Sequence, residues 1–178
     1  LVISEITDPA LLDSFVDMVD VIQVGSRNMY NYELLKRIGD TGRPVLLKRH
    51  FGATVDEWLL AAEYLLVRGN NNVILCERGI RTFETQTRNT LDLAAVRLAQ
   101  EKTGLPVIVD VSHAAGRRDL ILPLALSAVA AGADGLMVEV HHYPQAALSD
   151  AGQQLDFDDF KKLQLSLARL NRETENGQ

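Results

Sequence analysis

Short runs of β-branched and aliphatic residues recur along the chain: LVIS (1–4), VIQV (21–24), PVLL (44–47), NVIL (72–75), PVIVD (106–110) and GLMVEV (135–140). None alternates strictly between apolar and polar positions. That is the pattern of strands buried on both faces of a parallel sheet. Each run is followed by polar residues and then by an amphipathic stretch. TVDEWLLAAEYLLVRG opens on a capping box, Thr54 with Glu57 three residues on, and closes at Gly69. Its apolar positions Val55, Trp58, Leu59, Ala62, Leu65 and Leu66 recur at spacings of three and four, which predicts a helix with one apolar face. GRRDLILPLALSAVAAG predicts a second helix, from its glycine to Gly132, and LDFDDFKKLQLSLARL a third behind Asp156, an N-cap with Asp159 three residues on. The final NRETENGQ is polar and is expected to fray.

Six β–α units in succession predict a parallel α/β fold, either an open doubly wound sheet or part of a (β/α)8 barrel. No G-x-G-x-x-G follows any strand, which weighs against dinucleotide binding. Nearly every strand ends in a polar residue: Glu5, Arg27, Lys48, Glu77 with Arg78, Asp110 with His113, and Glu139. Barrel enzymes carry their active-site residues at these C-terminal strand ends, so the barrel is the better reading. Eight strands close such a barrel and six are counted, leaving the chain two β–α units short. It also starts at Leu1, in strand-like sequence, as expected of a piece of something longer.

Composition narrows the chemistry. The chain has 178 residues, 47% of them hydrophobic, enough for one domain with a sizeable core. Its net charge of −6 argues against nucleic-acid and membrane surfaces, so an anionic ligand needs a local cation cluster. The single cysteine, Cys76, excludes an internal disulfide and a cysteine-rich zinc cage, in keeping with a reducing cytoplasm. It ends the run VILC, where a buried, inert thiol is expected.

Arg27 in VGSRN, Lys48 in LLKRHF and Arg78 in CERGIR each follow a strand at once. Two guanidinium forks and an ammonium, with backbone N–H groups at Gly25 and Ser26, suit a ligand carrying phosphate and carboxylate. The plainer alternative pairs each cation with a neighbour such as Glu77 or Glu5. His113, Glu139 and Asp150 also fall just beyond strand ends, and an imidazole with two carboxylates suffices for Mn2+, Fe2+, Zn2+ or Mg2+. The alternative there is a His–Glu hydrogen bond between adjacent strands, with Asp150 starting a turn. His50, His141 and His142 read as rim or surface residues, although His141 follows a strand directly. Arg117 and Arg118 oppose the dipole of the helix they open, so Asp119, a substrate phosphate or a subunit contact must balance them.

Taken in order, QVGSRN, PVLLKR, ILCERGIRTFE with TRNTLDL, VDVSHAAGRRDL, and MVEVH with ALSDAGQQLDF resemble the 3-deoxy-D-arabino-heptulosonate 7-phosphate (DAHP) synthases. The match is to their shorter class, the one most similar to 3-deoxy-D-manno-octulosonate 8-phosphate synthases. CERGIRTFE with TRNTLD, and SHAAGRRD, lean toward the heptulosonate enzymes.

The resemblance implies a metal-dependent transferase of the cytoplasm, built on a β/α barrel and assembled as a homotetramer. It condenses phosphoenolpyruvate with erythrose 4-phosphate, the first step of the shikimate pathway and of aromatic amino-acid biosynthesis. It implies that Ser26, Arg27, Lys48 and Arg78 bind phosphoenolpyruvate, that Lys48 and His113 are catalytic, and that His113, Glu139 and Asp150 ligate the metal. Residues 1–170 then form the C-terminal three-quarters of the catalytic barrel, and 171–178 a polar tail. The family's Gly-Pro-Cys ligand motif and its Lys-Pro-Arg-Thr segment do not occur here; Cys76 corresponds to a non-ligating cysteine. Val111 stands where the family usually has proline, and HHYP replaces its His-Pro-x-Pro. The alternatives are a related synthase using arabinose 5-phosphate, and a non-catalytic half-site that binds phosphate and leaves an apolar sheet edge exposed.

Overall fold

The structure, a computed structural model, describes residues 1–176. Six strands form one sheet: β1 (Ile3–Glu5), β2 (Val21–Val24), β3 (Val45–Lys48), β4 (Val73–Glu77), β5 (Val107–Asp110) and β6 (Gly135–Met137). Every neighbouring pair is parallel, and the order across the sheet is the order along the chain. A doubly wound sheet reverses its strand order at a switch point, and this one never does. The fold is an α/β arc of a β/α barrel. Helices α1 (Leu12–Phe15), α2 (Tyr32–Asp40), α3 (Val55–Leu66), α4 (Leu93–Thr103), α5 (Val111–Ala115), α6 (Ile121–Ala130) and α7 (Phe157–Asn176) fill the connections and follow β6. Among the described residues, no helix is long and apolar enough to cross a membrane.

The pleat sorts the strand residues into two layers. Ile22, Val24, Leu47, Leu75 and Val109 join the main core with Trp58, Leu65 and Ile121 from the helices. Val21, Leu46 and Cys76 point the other way and meet Ile74, Ile108 and Met137 on the concave side. Trp58 is fully buried and still satisfies its indole, donating from Nε1 to the Leu47 carbonyl at 3.3 Å. Both anticipated caps form. Thr54 and Glu57 make a reciprocal capping box on α3, and Asp156 Oδ1 accepts from the Asp159 amide at 2.8 Å.

Three local features differ from the pattern reading. The β6 ladder stops at Met137, opposite Asp110, where β5 ends and α5 begins. Val140 instead bridges Leu155, with Leu155 N donating to Glu139 O and His141 N to Leu155 O, both at 2.9 Å. The helix expected from residue 116 is split: Asp110 caps the short α5, Gly116 ends it with φ +65°, and a 3-10 turn (Arg118–Leu120) leads into α6. Helix α7 runs to Asn176, well into the polar stretch that opens at residue 171. At the β1 edge of the sheet, Leu1, Val2 and Ile3 are 106%, 54% and 47% exposed, although the Val2 amide donates to Asp20 Oδ2 and its carbonyl accepts from the Asp20 and Val21 amides.

Candidate active site

Ser26, Arg27, Lys48 and Arg78, brought from three successive strand ends, line one cavity of about 330 Å3. His113 and Asp150 line the same cavity, so the two groups singled out in the sequence share a wall. Glu5, Gln23, Phe51, Arg81, Arg88 and Asn89 complete much of the remainder.

The alternative pairings of these cations with Glu77 or Glu5 do not form among the described residues. Glu77 turns to the other face, where it accepts from Arg49 at 2.8 Å and from the Gly79 amide at 2.6 Å. Among the described residues, Glu5 accepts only a long bond from Gln23, at 3.5 Å. Arg27 makes no hydrogen bond or ion pair among the described residues. Arg78 is buried, and its Nε has no partner among the described residues. Burial pushes its pKa down, against the attraction of Asp110. A buried guanidinium without a carboxylate at its fork is a ready anion receptor.

Lys48 is also buried, and it has a counter-ion the sequence reading did not assign. Its ammonium pairs with Asp110, the fully buried last residue of β5, and its Nζ lies 3.5 Å from Met137 Sδ. Asp110 also accepts from the His113 amide at 3.0 Å and meets His113 Nδ1 at 2.7 Å. Burial alone would raise the Asp110 pKa. The His113 bond and the Lys48 charge outweigh it and hold the carboxyl well below its ordinary range. Acceptance by an ionised Asp110 puts a proton on Nδ1, so Nε2 is the ring nitrogen that can offer a lone pair to a ligand.

That Nε2 faces the two other expected ligands, 3.4 Å from Glu139 Oε1 and 3.8 Å from Asp150 Oδ2. One ligand atom from each of His113, Glu139 and Asp150 lies within 4.8 Å of the other two. Glu139 arrives from the stretch behind β6, where its amide donates to Ser112 Oγ at 2.9 Å. Asp150 holds a left-handed backbone, φ +52°, the only non-glycine residue to do so among those described. One imidazole and two carboxylates within this span fit a divalent first-row ion.

The remaining expectations sort out simply. Cys76 is fully buried on the concave side, and burial pushes its thiol pKa up. It is structural. His50 packs on Phe51 at the rim, and His141 and His142 stack on each other with centroids 4.5 Å apart. Of the partners considered for the arginine pair, Asp119 binds Arg117, at 2.8 and 3.1 Å. Arg81, Arg88, Asn89 and Gln153 were absent from the sequence reading as site residues. Arg81 and Arg88 lie in the loop after Arg78, and a cation count there could have flagged them; Gln153 carries no sequence signal.

Residues 1–176 match the family model described as the DAHP synthetase I family. The phospho-2-dehydro-3-deoxyheptonate aldolase of Thermotoga maritima is 51% identical over 159 residues, 89% of this chain and 47% of that protein. The 2-dehydro-3-deoxyphosphooctonate aldolase of Methylococcus capsulatus is 30% identical over 183 residues, 96% of this chain and 63% of that protein. The crystal structure of the Thermotoga maritima DAHP synthase superposes with a TM-score of 0.94 at 48% identity, covering 97% of this chain and 51% of that one. The chain thus spans about half to two thirds of the length of these relatives.

Proposed function

The chain belongs to the DAHP synthetase I family, and from that premise we propose that it forms the greater part of a DAHP synthase barrel, its residues 1–170 supplying the last six of eight β–α units. The reaction is the condensation of phosphoenolpyruvate with erythrose 4-phosphate to DAHP and phosphate, a cytoplasmic step of aromatic biosynthesis run by a homotetramer. The observation that carries the reading is the shared cavity: Arg27, Lys48 and Arg78 line it together with His113 and Asp150.

Arg27 and Arg78 bind the phosphate and carboxylate of phosphoenolpyruvate through their guanidinium forks, with the Ser26 backbone at the phosphate. Lys48 adds a third positive charge, aimed by its pairing with buried Asp110. These groups hold the enol so that C3 meets the aldehyde carbon, and such positioning removes a large part of the barrier. His113, Glu139 and Asp150 are the residues that hold the divalent ion, whose contribution when bound is Lewis-acid polarisation of the aldehyde. With both substrates held, C3 bonds to the aldehyde carbon, water adds at C2, and phosphate leaves with cleavage of its C–O bond. Mn2+, Fe2+ and Zn2+ all suit this donor set.

Phosphoenolpyruvate consumption after chelation and Mn2+ addition, with erythrose 4-phosphate and arabinose 5-phosphate in parallel, tests the proposal. Turnover with erythrose 4-phosphate that disappears in His113→Ala is the expected result. Turnover with arabinose 5-phosphate alone moves the chain to the octulosonate enzymes, and turnover with neither leaves a phosphate-binding half-site.

A further inference from the structure

The two carboxylates of the metal-ligand set are tied together from behind. Gln153, 2% exposed, donates from Nε2 to Glu139 Oε2 at 2.8 Å, and its Oε1 accepts from Arg88 Nη1 at 3.2 Å. The same Nη1 donates to Asp150 Oδ1 at 2.9 Å. The polarity of this chain is forced. A guanidinium only donates, so the amide must turn its oxygen to Arg88, and its NH2 is left for Glu139. Both bridged oxygens, Oε2 and Oδ1, are the ones not facing His113. Oε1 and Oδ2 stay free toward Nε2.

The bridge stands on a rigid footing. Arg88 and Asn89 donate from their amides to Ala115 O at 3.1 Å and Ala114 O at 2.9 Å, and Asn89 Nδ2 donates to His113 O at 2.9 Å. Gly116 makes room for this strap: at φ +65° it lies so close that a Cβ there would sit 2.5 Å from Arg88 Cβ.

We infer that Gln153 is a positioning residue for the metal site, with Arg88 fixing its amide orientation, so that Glu139 and Asp150 present one oxygen each to a common point with His113. The inference rests on the metal reading above. Outer partners of metal ligands set ligand orientation, and losing one weakens metal binding by about 10–100-fold. Glu139 and Asp150 both lie beyond the last residue of β6, and the bridge holds the rotamers that turn Oε1 and Oδ2 toward Nε2.

The test is Mn2+ binding to the chelated protein, read by the electron paramagnetic resonance signal of free Mn2+, alongside the melting temperature of the metal-free protein. His113→Ala must abolish tight binding; if wild type and His113→Ala bind alike, the metal reading fails and this inference with it. Given His113-dependent binding, Gln153→Met is expected to raise Kd by about 10-fold or more, with a metal-free melting temperature close to wild type. An unchanged Kd overturns the positioning role and leaves the metal reading intact. Arg88→Met separates orientation from charge and guards against a Gln153 variant that does not fold. Removing a cation beside the site favours Mn2+ by Coulomb attraction alone, whereas loss of the amide anchor weakens binding. Weaker binding supports the inference, and tighter binding overturns it.

Discussion

Lys48 and Arg49 are neighbours in sequence, both cationic, both buried at the end of β3, and they do different work. Lys48 points to the concave side, in register with Cys76, and pairs with Asp110 in the cavity wall. Arg49 points outward beneath the helices. Its Nη1 binds Glu77 at 2.8 Å and Asp92 at 3.1 Å, its Nε donates to Ala53 O at 3.1 Å, and its guanidinium lies 5.9 Å from the Trp58 ring centroid. The same division falls on β4, where Glu77 goes out to Arg49 and Arg78 goes in to the cavity. The two-residue period of the strand therefore converts two adjacent charges into a buried ion-pair network on one face and a cavity-lining one on the other.

Breaking each network should separate these roles. Arg49→Met leaves buried Glu77 without the cation that favours its ionised form. A loss of about 3–5 kcal/mol in urea unfolding is expected, with kcat/KM of the folded protein little changed; a large kcat/KM loss would place Arg49 in the chemistry. Lys48→Met removes an ammonium aimed at the cavity, and kcat/KM should fall by about 10²–10³-fold, beyond any drop in stability.

The two buried carboxylates carry opposite pH signatures. Asp110 has a folded pKa held down by His113 and Lys48 against the cost of burial. Its stabilisation is complete above the unfolded carboxylate value of about 4 and disappears as pH falls through the lower folded value. Glu77 is pushed up, by burial first and by Asp92 sharing its cation, so its contribution is present below the unfolded value and disappears as pH rises through the folded one. In metal-free protein, Asp110→Asn should flatten the acid limb of a stability–pH curve, while Glu77→Gln should steepen the rise of stability just above that unfolded value. Matching curves for the two variants would refute the contrast. The smallest effect is expected away from both networks: Thr54→Ala, which removes the cap of α3, should cost about 1 kcal/mol in thermal or urea unfolding and leave activity untouched.

Strand positions, the parallel class and the caps of α3 and α7 were legible because each rests on local signals: apolar runs, helical spacing and an oxygen-bearing residue before a helix. That Arg27, Lys48, Arg78, His113, Glu139 and Asp150 gather at one rim was legible for a related reason, since polar residues that end apolar runs emerge at one end of a parallel barrel. What those residues touch was not. Asp110 looked like one more strand-end acid until the fold placed it between Lys48, 62 positions earlier, and His113. Gln153 gave no signal at all, because an amide reveals its partners only when a guanidinium and a carboxylate flank it.

By itself, then, the sequence determined which segments become strands and helices and which charges reach the rim, because hydrophobic periodicity and capping act over a few residues. Only the tertiary structure decided that Lys48 pairs with Asp110 while Arg49 pairs with Glu77, and that Arg88 and Gln153 bridge the two acids facing His113. Those contacts join residues from different β–α units, and their distances follow from strand register and sheet curvature, which no local pattern encodes.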